Sequence, residues 1–299
     1  MPGSFSRLEI QEPKLIRDSS RLFLAEIIQV SISLAIIAII VRELPPERYG
    51  IWVALLALFN FTTVANFGFP TFISRNIPKK HGAAYRLIGK IRKVQFLLLL
   101  IVTPTCVIVA IYSLGIDILN PPVAIIGLAT ISVVLTQINR SVLISLGLAS
   151  TNVNIILVDR SASLAAILMA KYFFGSGEEY LLIGYVMGPV AGLLLSELYV
   201  RRLLMKDELR KDNPYSTKKI VSESAPYSLI LIGMPAFDSI NRLTLLLYSG
   251  AVSLAVFDVS YRVFKAGNSV TRSIRRAMLP VLSFNSGNEG SFEPSLVLA

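Results

Sequence analysis

The stretch PAFDSINRLTLLLYSGAVSLAVFDVSYRVFK, Pro235 to Lys265, sets two apolar segments on either side of a short Ser249-Gly250 turn. Each segment carries charge deep inside it. Asp238 and Arg242 lie four residues apart and share one helix face, with Asn241 beside them. Asp258, Arg262 and Lys265 follow a 4-3 spacing and share a face of the next helix. Charge is expensive in lipid, so these side chains must pair or line a wet cavity. Two readings stay open at this point: an ion-pair lock between two helices, or a cavity wall that also handles a polar substrate.

The rest of the chain has the same character. Of its 299 residues 54% are hydrophobic and only 16% charged, with a mean hydropathy of +0.64. A soluble protein of this size needs more charge to cover its surface, so the composition predicts an all-α, polytopic membrane protein. The net charge of +10 is gathered between apolar segments, which is the pattern of cytoplasmic loops and not of a nucleic-acid surface. Cys106 and His81 each stand alone, so neither an internal disulfide nor a His/Cys metal site is expected, and no cofactor is. The first 21 residues are mixed in charge and lead into an apolar segment long enough to span, which argues against a cleavable signal peptide.

Eight spans are expected: Leu22–Val41, Tyr49 to about Phe72, Val94–Leu114, Val123–Leu148, Val153–Phe174, Tyr180–Val200, Ser224–Tyr248, and Ala251 to about Val270. RELPPER (Arg42–Arg48) closes the first as a tight loop. The second holds Asn60, Thr62, Thr63 and Asn66 and then Phe67-Gly68-Phe69-Pro70, a breakable, polar-faced helix that packs closely or lines a cavity. In the sixth, Gly184, Gly188 and Gly192 form a small-xxx-small packing face beside Pro189. Pro226, Gly233 and Pro235 predict a kinked seventh span. Arg75–Lys93 holds seven basic residues and no acid, and Arg201–Lys219 seven basic and three acidic. With Arg272, Arg275 and Arg276 these put both termini and both basic loops on the cytoplasmic side of the cell membrane.

Other charges lie inside the spans. Glu26 and Arg140 either snorkel to an interface or mark a site. Asp159 and Arg160 are neighbours that point in different directions on a helix, so they are expected to pair with other spans. Of the deep charges named here five are basic and four acidic. Fixed cations suit a phosphate or pyrophosphate headgroup, and Arg140, Arg242 and Arg262 are expected to face one cavity. A proton or Na+ relay would instead use the carboxylates.

The segment YGIWVALLALFNFTTVANFGFPTFISR, Tyr49 to Arg75, resembles the second span of Wzx-type polysaccharide flippases in the multidrug/oligosaccharidyl-lipid/polysaccharide (MATE/MOP-like) exporter superfamily. The "YG-x-W" start and the Phe67-Gly68-Phe69-Pro70 ending before Arg75 carry the likeness. Leu246 to Pro280, with YSGAVSLAVFDVSYRVF and AMLPVLS, resembles the family's eighth span through Gly250, Tyr261, Arg262 and Pro280. The resemblance implies two six-helix bundles around a central cavity. It divides this chain into a cytoplasmic segment 1–21, a first six-helix bundle 22–200, a basic connector 201–223, the first two helices of a second bundle 224–280, and a polar tail 281–299. The chain would then be a fragment, a truncated gene product, or a short protein that closes its cavity with a partner. The implied activity is translocation of a lipid-linked oligosaccharide for polysaccharide or lipopolysaccharide biosynthesis, without covalent chemistry. Membrane lipids and a polysaccharide polymerase or glycosyltransferase machinery are the implied partners. Related branches export drugs against Na+ or H+. A truncated, non-transporting membrane protein or assembly subunit is the remaining alternative.

Overall fold

The computed structural model describes residues 12–76, 84–114, 121–175, 178–204 and 216–288, and every described element is helical. In chain order they are α1 (Glu12–Glu43), α2 (Pro46–Phe59), a 3-10 helix (Asn60–Asn66), α3 (Phe69–Asn76), α4 (Ala84–Leu114), α5 (Pro121–Ser145), α6 (Ala149–Phe174), α7 (Glu178–Leu204) and α8 (Thr217–Asn288). Among the described residues six stretches are long and apolar enough to cross a membrane, the last being Leu231–Asn268. That last stretch contains the reversal at Gly250, and α1 carries a further apolar run. The chain is an all-α, multi-pass membrane bundle of six to eight candidate membrane-crossing helices.

Local chemistry explains the punctuation. Pro46 opens α2 at a position where a missing N–H costs nothing, with Glu47 in the first turn. The second span then breaks inside the bundle. Thr62 and Thr63 turn their hydroxyls back onto the carbonyls of Phe59 and Asn60, each at 2.7 Å, and the chain tightens into the 3-10 helix. Phe67 (φ 38°) and Gly68 (φ 72°) go left-handed before α3 restarts.

Gly250 (φ 82°, ψ 173°) divides α8 into two arms, 217–249 and 251–288. Only glycine holds that conformation without strain. Contacts between residues 238 and 265, and between 242 and 258, show the arms running back along each other as a hairpin. The tip of the hairpin presses on α2: a Cβ on Gly50 would overlap the Ala251 carbonyl. Along the other seam, α6 packs on α7 where Gly188 abuts Asp159 and Ser163 and Gly184 abuts Ile167.

Two apolar clusters fill the ends of the bundle. One gathers Tyr49, Trp52 and Phe59 with Ile36, Ile40 and Leu254. The other gathers Phe69, Phe72 and Ile91 with Ile138, Val142 and Val200 at the basic end. Between them lies a layer of buried polar side chains that includes Thr62, Asn66, Gln95 and Asn139.

Several boundaries differ from the sequence expectation. α1 is one helix from Glu12, so the described part of segment 1–21 is continuous with the first span: after Pro13, near the helix start, no breaker interrupts it. α4 begins at Ala84, ten residues before Val94, so Lys90, Arg92 and Lys93 belong to a helix and not to the basic loop. In α8 the dihedrals stay helical through Pro226, Gly233 and Pro235, and the chain departs from helix at Gly250. The helix also continues into the tail as far as Asn288. The expectations for 1–11, for 77–83 with Lys79 and His81, for 115–120, 176–177 and 205–215, and for 289–299 lie outside the described residues, as do the side chains of Arg272, Arg275, Arg276 and Pro280.

Glycine replacement separates these roles. Gly250→Ala is expected to cost about 1–3 kcal/mol through its backbone conformation, and Gly50→Ala to destabilise by collision with Ala251. Gly233→Ala has no neighbour within 4 Å and sits in a helix interior, so it is expected to stabilise by up to about 1 kcal/mol. The midpoint of thermal loss of monodisperse protein in detergent reads all three.

Candidate functional site

The hairpin of α8 and the start of α2 build the most charged interior in the described bundle around Asp258, whose side chain is wholly buried. The Tyr49 hydroxyl donates to Asp258 Oδ2 at 2.8 Å. Arg262 Nε, one turn further along the same arm, donates to the same oxygen at 2.5 Å. Arg242 Nη2 approaches Oδ1 from the opposite arm at 3.1 Å, an ion pair that lies off the hydrogen-bond axis. One carboxylate therefore ties three helical segments together.

A second layer sits one turn further from the hairpin tip. Asp238 accepts from the Tyr261 hydroxyl at 2.7 Å and from Lys265 Nζ at 2.5 Å. The Tyr261 ring lies beneath both Arg242 (5.5 Å to the centroid) and Lys265 (4.8 Å), a geometry in which the aromatic face attracts cations. The pairing is crossed. Asp238 and Arg242 share a helix, yet the ion pairs join Asp238 to Lys265 and Arg242 to Asp258 across the two arms. Asn60, at the break in the second span, donates to Ser239 Oγ at 3.2 Å and to the Pro235 carbonyl at 3.4 Å.

Arg262 and Lys265 also line a cavity of about 320 Å³ whose other wall is α1, with Gln29 and Ser33 as its polar groups and Val30, Leu34 and Ile37 as its apolar ones. Asn241 is exposed. Glu26 is half-buried on α1, a turn before this wall. The carboxylates and cations of the hairpin lock its arms together, and two of the cations, Arg262 and Lys265, also line the cavity.

Arg140 does not join this group. Its Nε donates to Asn152 Oδ1 at 2.8 Å at the turn between α5 and α6, near the basic end. Asp159 and Arg160 lie within electrostatic range of it. Of the three arginines expected on one cavity, Arg262 lines the described one, together with Lys265; Arg242 joins the same cluster through Asp258, and Arg140 lies apart because α5 reaches the basic end five residues after it. Gly188 and Pro189 sit in the α6–α7 seam, away from the charge cluster, and Gly68 and Pro70 join the 3-10 helix to α3, where Gly68 touches Ser224 and Tyr227, neighbours of Pro226.

Two parts of the site were not singled out from the sequence. Tyr49 read only as a helix opener, because its partner is 209 residues away. Arg92 read as a loop cation, but both of its Nη groups bind the Glu197 carboxylate, at 2.9 and 2.7 Å, and Nη2 also donates to Asn139 Oδ1 at 2.7 Å. The signal available for the second was the isolated acid near the end of an apolar span, which needs a cation on a neighbouring helix.

With that geometry in hand the chain can be set beside known proteins. A family model described as "Polysaccharide biosynthesis protein" matches residues 15–286. The chain belongs to that family. The chain is thus a multi-pass membrane protein of a family associated with polysaccharide biosynthesis. Comparison with curated proteins gives no match. One similar solved chain, protein A, superposes with a TM-score of 0.60 at 17% identity over 93% of this chain, which bears on the fold alone. This chain spans 66% of the length of that structure. The family match ends at residue 286 and so includes the whole charged hairpin.

The crossed pairing makes a measurable distinction. Asp258→Asn removes the buried carboxylate that two half-buried arginines share and is expected to cost about 3–5 kcal/mol of stability. In double-mutant cycles Asp238 is expected to couple to Lys265 by at least about 0.5 kcal/mol and more strongly than to Arg242, its neighbour on the same helix. Strict additivity of Asp238→Asn with Lys265→Met would contradict the crossed arrangement.

Proposed function

We propose that the chain is part of a transporter that moves a polyprenyl-pyrophosphate-linked oligosaccharide across the membrane, with the pyrophosphate met by Arg262 and Lys265. The observation that carries this reading is the cavity between α1 and the second arm of the hairpin. Its polar side bears two cations, and its apolar side suits a polyprenyl chain. Three cations, Arg242, Arg262 and Lys265, surround only two carboxylates, Asp238 and Asp258. The excess charge suits an anionic ligand. Translocation on this reading is a movement of the helices about the cavity, with no bond made or broken. The basic end of the bundle faces the cytoplasm.

Arg262 has a role that lysine cannot copy. It holds Asp258 through Nε, so its Nη groups can meet phosphate oxygens while the internal pair stays closed. A lysine ammonium is a point charge without that planar fork, so it cannot hold both partners in the same geometry. Arg262→Lys is therefore expected to weaken binding of a polyprenyl-pyrophosphate saccharide by roughly ten- to a hundred-fold, and Arg262→Ala further. The assay normalises to folded protein and uses a neutral lipid-linked sugar as control. Equal affinity of Arg262→Lys and parent for the pyrophosphate ligand, or no preference of the parent for it, counts against this function.

A cation-coupled exporter is the second reading, favoured by one observation: Asp159 Oδ1 is buried without a hydrogen-bond partner among the described residues. Proton- or Na+-dependent transport abolished by Asp159→Asn would support it. Orientation is tested separately by single cysteines in a Cys106→Ser background. Position 46 is expected to react with an impermeant maleimide on intact cells, and position 218 only after permeabilisation. Labelling of position 218 from outside would reverse the topology.

A further inference from the structure

A second groove, away from the hairpin, lies where α4, α5 and α7 meet toward the basic end of the bundle. Its volume is about 600 Å³. At one end stand Arg92, Lys93 and Glu197, with Asn139 behind them. Deeper in, the walls are Phe96, Leu97, Leu135 and Leu193. Phe96 and Leu97 are 64% and 58% exposed, so the groove opens sideways from the bundle, toward lipid.

The charges at its polar end do not balance. Glu197 is held by Arg92 and, at 2.8 Å, by Arg201. Lys93 adds a third cation on an exposed part of α4, with no ion pair among the described residues. Of the groove's lining residues, two cations, Arg92 and Lys93, therefore stand beside one carboxylate where the helices approach the interface. Gln95, 1% exposed, also lines the groove, and its Nε2 is committed to Asn66 Oδ1 and the Val134 carbonyl. That leaves Oε1 buried without a donor. A basic, hydrogen-bonding mouth over an apolar, laterally open wall matches a molecule with an anionic head and hydrocarbon tails.

We propose that this groove binds an anionic glycerophospholipid of the leaflet at the basic end, with its phosphate at Lys93 and Arg92 and an acyl chain along Phe96, Leu97, Leu135 and Leu193. The site is built from other helices than the α1–hairpin cavity and stands whether or not that cavity carries a lipid-linked sugar. Arg92, already fixed by Glu197 and Asn139, presents a rigid cation, while Lys93 supplies an adjustable one. One basic side chain at a membrane surface favours an anionic lipid by about fivefold.

The full chain in nanodiscs tests this, with bimane on Leu100→Cys in a Cys106→Ser background. Leu100 lies one turn beyond Phe96 on the same exposed face. Brominated phosphatidylglycerol is expected to reach half-maximal quenching at about a fivefold lower mole fraction than brominated phosphatidylcholine. Lys93→Gln, an exposed substitution that leaves the fold intact, is expected to remove most of that preference. A bimane on Val158→Cys, on the exposed face of α6, is expected to show none. Equal quenching by the two lipids at position 100, a preference that survives Lys93→Gln, or the same preference at position 158 overturns the proposal. The last result would mean only general attraction of anionic lipid to a basic protein.

Discussion

The carboxylate of Asp258 is the constraint from which the arrangement of the charged half of the molecule follows. A wholly buried carboxylate is tolerable only when its charge is matched and its lone pairs are engaged. The partners come from three places in the chain: the Tyr49 hydroxyl at the start of α2 and Arg262 on one arm of the hairpin donate to it, and Arg242 on the other arm pairs with its charge. Satisfying the group therefore requires the hairpin to close on itself and to dock on α2 together. The glycines at the docking point belong to the same requirement. Gly250 allows the reversal, and Gly50 allows the α2 backbone to approach the reversal closely enough for Tyr49 to reach its partner.

The break in the second span extends this logic through the bundle. A continuous helix from Pro46 to Asn76 would present its polar side chains in regular steps. The 3-10 segment and the left-handed pair at Phe67 and Gly68 redistribute them. Asn60 reaches the hairpin, while Asn66 joins Gln95 and Gln137 on α4 and α5. The broken span thus gives a hydrogen-bond partner to each of the two polar regions, and the apolar clusters at either end hold it in place. Irregular backbone at this depth persists because it is enclosed by protein.

Much of this was legible in the residues. The hairpin turn at Ser249-Gly250 followed from two apolar runs around a glycine, and the helix faces that carry charge followed from 4-3 spacing. Phe67-Gly68-Phe69-Pro70 marked the break in the second span. Partner choice was not legible. Spacing puts Asp238 beside Arg242, but the hairpin brings Lys265 nearer, and no pattern within one helix reports that competition. Arg140 was grouped with Arg242 and Arg262 on one cavity although the sequence sets it in the inner third of its span and them near the midplane. Depth along the bundle separates them, and depth depends on where each helix begins. Arg92 was assigned to a loop because basic residues mark interfaces. It lies instead on α4, where Glu197, 105 residues away, pairs with it.

The wall opposite the charged hairpin is built unevenly. Toward its end α1 is anchored: Ile36, Ile37, Ile40 and Leu44 are buried, and Glu43 pairs with Lys171 of α6 at 2.6 Å. The part that faces Arg262 and Lys265, from Gln29 to Leu34, is only half-buried and contributes small or polar groups such as Ser33. Local opening costs least where little apolar area is lost. Displacing the described stretch Gln29–Leu34 would therefore lose less buried area than parting the hairpin, which would expose Asp258 and two arginines at once. The ion pairs hold the hairpin side of the cavity together, and the α1 side is more loosely packed along Gln29–Leu34. Arg262 belongs to both the ion pairs and the cavity wall, since its Nε stays with Asp258 while the rest of its guanidinium faces whatever enters.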